Sequence, residues 1–337
     1  MRFQVRLEPQ GRVIEAGPEQ TVLNAALAAG LNLPHSCKSG HCASCRALLR
    51  SGDIEYPRGR PLGITANEVA AGGVLLCQAR ARSNLVVEVR QIASVSDVEI
   101  KTLPCRIERM ERPAQDVMRL FLRLPAVEAF RFQPGQYLDI LLADEQRRSF
   151  SIASPPHDAA MLELHVRHAP GGAFTTPLFE RTGVGALLRV EGPLGQFVYR
   201  ASDAPLLLIA GGTGYAPIKA ILRHVLETGI ARPVQLYWGV RDLADLYEAT
   251  NLQTLRARYP RLRFSPVLSD PRSAPTTDLR RGWVHEAVLA DHADLSPFDI
   301  YVAGPPALVE AARAQFPSRG ADEQRLLFDS FDYAPQA

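Results

Sequence analysis

What this chain lacks narrows it first. No stretch of its 337 residues approaches the ~20 consecutive apolar residues that a membrane helix needs. No Lys- or Arg-rich run stands out and the formal net charge is only +2, so there is no electrostatic footprint for nucleic acid. The opening Met1-Arg2-Phe3-Gln4-Val5-Arg6-Leu7 alternates like a strand and has no apolar signal-peptide core. Internal repeats and low-complexity tracts are absent. Cysteine is scarce, with five residues, and an odd count in a long chain is a poor disulfide framework. These absences predict a cytoplasmic protein of a reducing compartment that binds neither membrane nor nucleic acid. Hydrophobic content of 46% and charged content of 22% are those of a globular chain long enough for two or three domains.

The cysteines that are present are unevenly placed. Cys37, Cys42 and Cys45 form C-x4-C-x2-C, Cys77 follows, and Cys105 stands apart. The first four have plant-type [2Fe–2S] spacing. Two bridged irons need four converging thiolates, and a loop from Pro34 to Cys45 with Gly40 near its middle can bend closely around them. Ser36, Ser39 and Ser44 are additional hydrogen-bond donors. Zinc fits less well, because zinc ribbons pair two C-x2-C knuckles and only one is present. His35 and His41 invite a Rieske reading, but four cysteines already fill the plant-type pattern. Cys105 fits no metal spacing and reads as a small strand residue.

The chain divides into three blocks. The first, residues 1–92, has strands at Phe3–Leu7, Val13–Ala16 and Leu85–Val89. A helix is expected between the N-cap Thr21 and the stop Gly30. Residues 93–102 read as a linker. The second block, 103–200, has short strands at Met118–Leu124, Tyr137–Leu142, Ser149–Ala153, Leu162–Val166 and Leu187–Val190, which suggest an antiparallel barrel. The third, 201–337, opens on the apolar run Leu206–Ala210. A helix to Glu227, a strand at Val234–Gly239, a helix near Leu252–Tyr259 and strands at Arg263–Val267 and Asp299–Val302 follow. This alternation predicts a doubly wound parallel sheet.

Two sets of motifs carry chemistry. Arg148-Ser149-Phe150-Ser151 follows the polar turn Asp144-Glu145-Gln146. It offers a guanidinium for a phosphate, an aromatic on the same strand face and a hydroxyl for a flavin ring edge. Gly171-Gly172-Ala173-Phe174-Thr175-Thr176 reads as a diphosphate site before a helix start. Gly211-Gly212-Thr213-Gly214 follows a buried strand and opens a helix with Pro217 in its first turn, which suits a nucleotide pyrophosphate. Tyr301-Val302-Ala303-Gly304-Pro305-Pro306 ends another strand at the same carboxyl edge, where ligands of such sheets bind.

In this order the motifs resemble the reductase components of bacterial multicomponent oxygenases, in the ferredoxin–NADP reductase superfamily, over essentially the whole chain. The resemblance implies a β-grasp ferredoxin domain, a flavin barrel and a nicotinamide domain with a C-terminal flavin-stacking tail. Cys37, Cys42, Cys45 and Cys77 would hold the cluster. Arg148, Ser149, Phe150, Ser151, His165, Arg167, Gly172, Phe174, Thr175 and Phe331 would hold FAD. Gly211, Gly212, Thr213, Gly214, Arg241, Asp242, Gly304 and Pro305 would hold NADH, with NADPH left open: Arg241 suits a 2′-phosphate and Asp242 repels one. Ser151, Ala303 and Phe331 would flank the reacting rings, the Phe331 ring stacking on the flavin. The family's Tyr is Phe150 here. Its Cys before Gly-Pro-Pro is Ala303, whose side chain is expected to face the crevice. Electrons would pass from NADH through FAD and the cluster, singly, to a terminal oxygenase of the Rieske type that hydroxylates aromatic rings. Di-iron hydroxylases and the dehydrase of deoxysugar synthesis are alternative acceptors. A redox-sensing module is the non-enzymatic alternative, and the chain is expected to be a monomer or weak oligomer.

Overall fold

The computed structural model describes residues 2–89, 98–126, 129–143, 146–270 and 279–331. Two compact units emerge: Met1–Ile100 with Leu194–Phe197, and Lys101–Pro193 with Val198–Ala337. Residues 93–97 of the expected linker, and Asp144 and Glu145 of the expected turn, lie outside the described residues.

In the first unit, β1 (Phe3–Glu8) and β2 (Arg12–Ala16) pair antiparallel across a turn in which Gly11 has φ +65°. Val5 and Leu7 point inward while Arg6 is exposed, the alternation of a half-buried strand. Helix α1 (Val22–Ala28) starts where expected: the Thr21 hydroxyl accepts the Asn24 N–H at 3.3 Å. β3 (Arg46–Ser51), β4 (Ile54–Glu55), α2 (Ala66–Ala70), β5 (Gly73–Leu75), β6 (Arg80–Ala81) and β7 (Leu85–Val89) follow. The sheet order is β2-β1-β7-β3-β5, with β1 and β7 parallel and the other pairs antiparallel. This is the expected β-grasp. Helix α2 was not expected, although Thr65 and Glu68 form a reciprocal capping box at its start.

The second unit holds two sheets. β8 (Lys101–Ala114), β9 (Val117–Arg123), β10 (Tyr137–Leu141), β11 (Arg147–Ser151), β12 (Leu162–Arg167), α3 (Thr175–Glu180) and β13 (Leu187–Leu194) build the first. Its order is β11-β10-β13-β8-β9-β12, and the Ile152–Leu164 bridge joins the two ends into a barrel. Leu103, Ile107, Leu120, Leu138, Ile140, Leu164 and Val190 fill it. The 14-residue β8 begins inside the span expected to be linker.

The second sheet runs β17-β16-β15-β14-β18-β19, every pair parallel. Its elements in chain order are β14 (Leu206–Gly211), α4 (Tyr215–Glu227), β15 (Val234–Val240), α5 (Ala249–Arg258), β16 (Leu262–Leu268), β17 (Arg280–Arg281), α6 (Val284–Asp291), β18 (Asp299–Gly304), α7 (Pro306–Gln315) and β19 (Leu326–Ser330). β14 and β18 are buried along their whole length, as central parallel strands must be. The order reverses between β14 and β18, so their carboxyl ends, Gly211 and Gly304, open the crevice where such sheets bind ligands.

Candidate functional site

The cysteine loop is held by its backbone. Lys38 and Ala43 take left-handed conformations (φ +54° and +55°), and Gly40 has φ +86°. A Cβ on Gly40 would lie 2.8 Å from Pro61 Cβ and 2.9 Å from Gln78 Cγ, so only glycine lets the loop close here. The loop's carbonyls are tied down as well: Gly63 N–H donates to Gly40 O at 2.8 Å and Gln78 Nε2 to Lys38 O at 2.8 Å. This frees amides for sulfur. Cys37 N–H points at Cys42 Sγ (3.4 Å), and Cys42 N–H at Cys37 Sγ (3.3 Å).

The thiols are arranged as two pairs, Cys37 with Cys42 and Cys45 with Cys77. The hydrogen bond from Cys42 holds the Cys37 thiol well below its ordinary range, whereas burial pushes Cys42 well above it. Its hydrogen bond with Cys45 and burial do the same to Cys77. Four thiolates cannot share this buried volume without cationic compensation. Among the described residues, the group with three ligand atoms all within 4.8 Å of one another is Glu163, His165 and Glu248, not the cysteines. The two thiol pairs fit the four-cysteine ligation of a two-iron cluster. His35 and His41 hydrogen-bond within the loop, Nδ1 of each lying 2.7 Å from Leu33 O and 3.0 Å from Ser39 Oγ respectively. Burial in β8 pushes the Cys105 thiol up to about 12, which makes it inert.

On β11, Arg148 and Phe150 project to one face. Arg148 is braced by Gln146 Oε1 (2.6 Å), and Ser149 donates to Asp139 Oδ1 (2.5 Å). The Phe150 ring lies 5.4 Å from that of Phe174, tilted. The Ser151 hydroxyl reaches the Asp329 carboxylate at 3.4 Å, which brings the flavin strand to the carboxyl edge of the nucleotide sheet. The Thr175 hydroxyl is tied to the Ala169 backbone, accepting from N (3.1 Å) and donating to O (2.9 Å), and a Cβ on Gly172 would strike it. Thr175 therefore shapes the turn rather than offering a free donor.

Three residues differ from expectation. His165 has both ring nitrogens engaged, Nδ1 with Tyr247 OH (3.0 Å) and Nε2 with Glu163 (2.9 Å), so it has no polar atom left for a flavin. Arg167 brings its guanidinium against Gly212, 3.2–3.3 Å from where a Cβ would be. Ala303 has no exposed surface: it pairs with Ala210 on one side and Asp329 on the other. Its side chain is part of the packed centre of the sheet and does not line an open crevice.

The glycines of the nucleotide site are there for close packing. A Cβ on Gly214 would lie 2.1 Å from Ala303 O, one on Gly211 2.8 Å from Pro305 Cδ, and one on Gly304 3.0 Å from Gly211 Cα. Gly212 has φ +54°. Thr213 is buried beside them. Trp238 Nε1 donates to Gly212 O at 2.9 Å. Trp238 is itself stacked on Tyr215 (4.2 Å) and met edge-on by Tyr247 (5.1 Å). Arg241 is paired with Asp116 (2.8 Å) and Asp245 (2.9 Å), and Asp242 caps the following turn through the Ala244 N–H. Ser330 is buried with no partner for its hydroxyl, and the Phe331 N–H donates to Gly304 O at 2.8 Å.

Beneath this site lies a charged network that motif reading missed. Lys219 Nζ contacts both Glu163 oxygens (2.8 and 2.9 Å) and Glu248 (3.0 Å), and Arg119 contacts Glu163 (2.7 Å) and Glu248 (3.2 Å). Burial would raise both carboxyls, but His165, Lys219 and Arg119 hold Glu163 far below the usual carboxylate range, and Lys219 and Arg119 lower Glu248. The ammonium already sits where a metal would. Nothing local in the sequence marks these residues, because they come from four separate elements. Trp283, 61% exposed at the start of α6, was also missed.

Three family models match in chain order: a 2Fe-2S iron-sulfur cluster binding domain at residues 5–82, an oxidoreductase FAD-binding domain at 104–199 and an oxidoreductase NAD-binding domain at 208–314. The CDP-6-deoxy-L-threo-D-glycero-4-hexulose-3-dehydrase reductase of Yersinia pseudotuberculosis is 35% identical over 98% of this chain and 99% of its own. Reductase component 1 of terephthalate 1,2-dioxygenase from Comamonas is 32% identical over 99% of each. The crystal structure of the Amycolatopsis cytochrome P450 reductase GcoB superposes with a TM-score of 0.80 at 33% identity, covering 98% of both chains.

Proposed function

Because the chain belongs to the family of iron–sulfur flavoprotein reductases that serve oxygenases and a sugar dehydrase, we propose that it draws on NADH and delivers single electrons to a terminal oxygenase of the Rieske type. When bound, the cofactors would divide the work: FAD would take one hydride, that is two electrons, from nicotinamide, and the [2Fe–2S] cluster, of a type with potentials near about −400 mV, would carry electrons onward singly. The observation that carries this reading is the arrangement of four thiols as two pairs, Cys42, Cys45 and Cys77 buried and Cys37 half-buried, alongside the flavin and nucleotide motifs.

The side chains have separable roles. Cys37, Cys42, Cys45 and Cys77 hold the cluster, and Gly40 lets the loop close. Arg148 would meet the flavin diphosphate, Phe150 would cover a ring edge, and Ser151, whose hydroxyl donates to Asp329, would offer its oxygen as an acceptor to the flavin's polar rim. Gly211–Gly214 and Gly304-Pro305 cradle the nucleotide pyrophosphate, with Arg167 against the turn and Trp238 fixing the Gly212 carbonyl. Phe331, the residue after β19, would lie over the flavin ring. Arg241 is neutralised by Asp116 and Asp245, and Asp242 stands at the end of β15, where an acidic residue suits a ribose 2′-hydroxyl. These two features favour NADH over NADPH. The modules corresponding to these roles are residues 1–92, 103–200 and 201–337.

A second acceptor, a hexulose dehydrase, is favoured by the 35% identity over 98% of the chain to the Yersinia reductase. Reconstitution separates the two. The NADH-reduced protein is mixed with a Rieske oxygenase or with the dehydrase, and NADH use coupled to product is followed. Product formed with the oxygenase alone supports the first reading, and product formed with the dehydrase alone replaces it.

A further inference from the structure

Tyr247 joins two neighbourhoods of the second unit. One is the charged network. Glu163 is gripped by Arg119 at 2.7 Å and by Lys219 at 2.8 and 2.9 Å, and it meets His165 Nε2 at 2.9 Å. Against the pull of burial, His165, Lys219 and Arg119 keep this carboxylate ionised, so it can only accept a hydrogen bond. The His165 proton therefore sits on Nε2. Burial holds the imidazole neutral, which leaves Nδ1 an acceptor. The Tyr247 hydroxyl, kept protonated by burial, donates to it at 3.0 Å.

The other neighbourhood is the nucleotide turn. The Tyr247 ring meets Trp238 edge-on at 5.1 Å, and Tyr215 stacks on Trp238 at 4.2 Å. Trp238 has no exposed surface, and its Nε1–H donates to Gly212 O at 2.9 Å. The Gly212–Thr213 bond is trans, and in a trans peptide the C=O and the following N–H point opposite ways. With the Gly212 carbonyl drawn toward the buried Trp238, the Thr213 N–H is turned away from it. An amide so placed, just before a helix, suits an anion. Strand β12, which carries His165, also leads into the Gly171–Thr175 turn, where the Ala169 N–H donates to Thr175 Oγ at 3.1 Å.

We infer that His165 and Tyr247 are positioning residues for the dinucleotide: through Trp238 they hold the Gly212–Thr213 peptide so that its N–H faces the diphosphate. This rests on the functional reading above, in which NADH binds at Gly211–Gly214. Neither His165 nor Tyr247 touches the nucleotide in this role. The charged network fixes the imidazole, the imidazole fixes the phenol, and the phenol braces the indole that sets the peptide. One strand of the barrel thereby registers the nucleotide turn against the flavin turn, and a misplacement of about 1 Å between reacting groups can cost on the order of a hundredfold in rate.

The test is calorimetric titration of the FAD-loaded, full-length protein with two redox-silent probes: ADP-ribose, which carries the diphosphate, and adenosine, which lacks it. Trp238→Phe keeps an aromatic ring but removes the donor, and should weaken ADP-ribose binding about tenfold. Tyr247→Phe removes only the hydroxyl, and should weaken it about threefold. Adenosine affinity, FAD content and the urea midpoint should stay near native in both. Because the two side chains act in series, the double variant should bind ADP-ribose about as Trp238→Phe alone does. Equal loss for both probes would mean general loosening of the domain and overturns the positioning role. A double variant showing the product of the single effects overturns the link from His165 and Tyr247. If Trp238→Phe loses FAD or unfolds, Tyr247→Phe decides alone, and native ADP-ribose affinity in it overturns the inference. The native protein separates the two readings. If it binds ADP-ribose no better than adenosine, the turn holds no diphosphate, and the use of NADH falls together with the inference. If it binds ADP-ribose well and the variants match it, the inference alone is wrong.

Discussion

Two buried sites in this protein each gather groups of one charge, and they resolve the conflict in opposite ways. Glu163 and Glu248 face Lys219 and Arg119 from the same chain, so their charges are balanced once the second unit folds. The four thiols of the first unit are eased differently: burial raises the Cys42 pKa, and the hydrogen bond with Cys45 together with burial raises that of Cys77, which holds these two protonated without metal. The difference teaches what each site is for. A self-compensated cluster is scaffolding, indifferent to what binds. An uncompensated one is completed from outside, and its stability is tied to the metal.

The comparison is broken most severely at the thiols. Cys77→Ser removes one ligand and should abolish NADH-driven cytochrome c reduction while leaving much of the ferricyanide reduction, because a small oxidant can take electrons at the flavin. Parallel assays of both acceptors on the variant, with FAD content checked, decide this; equal loss of both with FAD retained would show that the path is not serial.

At the charged network the effect is one of stability. Lys219→Met leaves two buried carboxylates short of a cation and should cost about 3–5 kcal/mol, read by urea unfolding of the second unit. The pH dependence sharpens the point. In the native protein Glu163 and Glu248 have lowered pKa values, so their contribution is full above the unfolded carboxyl pKa of about 4.3 and is lost as pH falls below it. Without Lys219 the carboxyls are pushed up instead, so protonation relieves the strain. The penalty of the variant should shrink as pH drops from 7 to 5, and a penalty independent of pH would mean that Lys219 acts through packing alone.

Smaller effects belong to residues that only touch the nucleotide. Phe331→Ala should keep FAD bound while raising kcat/KM for NADPH relative to NADH, measured by steady-state turnover with each; an unchanged ratio removes Phe331 from the stacking role. Ala303→Cys should be smaller still. The site has no exposed surface, so the added sulfur enters a packed sheet. The expected result is a stability loss of roughly 1 kcal/mol with no faster flavin reduction by NADH in single turnover.

The same contrast explains what the sequence made legible. The thiol site, the flavin strand and the glycine turn are local, so their spacing is visible: β7, α1, α4 and β14 lie within a few residues of expectation. Helix α6 and strand β19 had no strong periodic signal and were missed, and the long β8 was hidden in a span that read as linker. The charged network was invisible because Arg119, Glu163, Lys219 and Glu248 meet only through tertiary packing. His165 shows the same split: its neighbours in sequence point to flavin, whereas its neighbours in space are Glu163 and Tyr247. Ala303 was placed by its motif at a ligand face, but it is the pairing of β18 between β14 and β19 that decides its burial.

The central claim is that the paired thiols hold an iron–sulfur cluster that is reduced from NADH through FAD. Anaerobic purification with metal and sulfide analysis, followed by NADH addition and low-temperature electron paramagnetic resonance, tests it most directly. The account predicts about two irons and two labile sulfides per chain, stoichiometric FAD, and a reduced-cluster signal that appears on adding NADH. Zinc in place of iron, or a full iron complement that stays silent under NADH yet responds to dithionite, would contradict it.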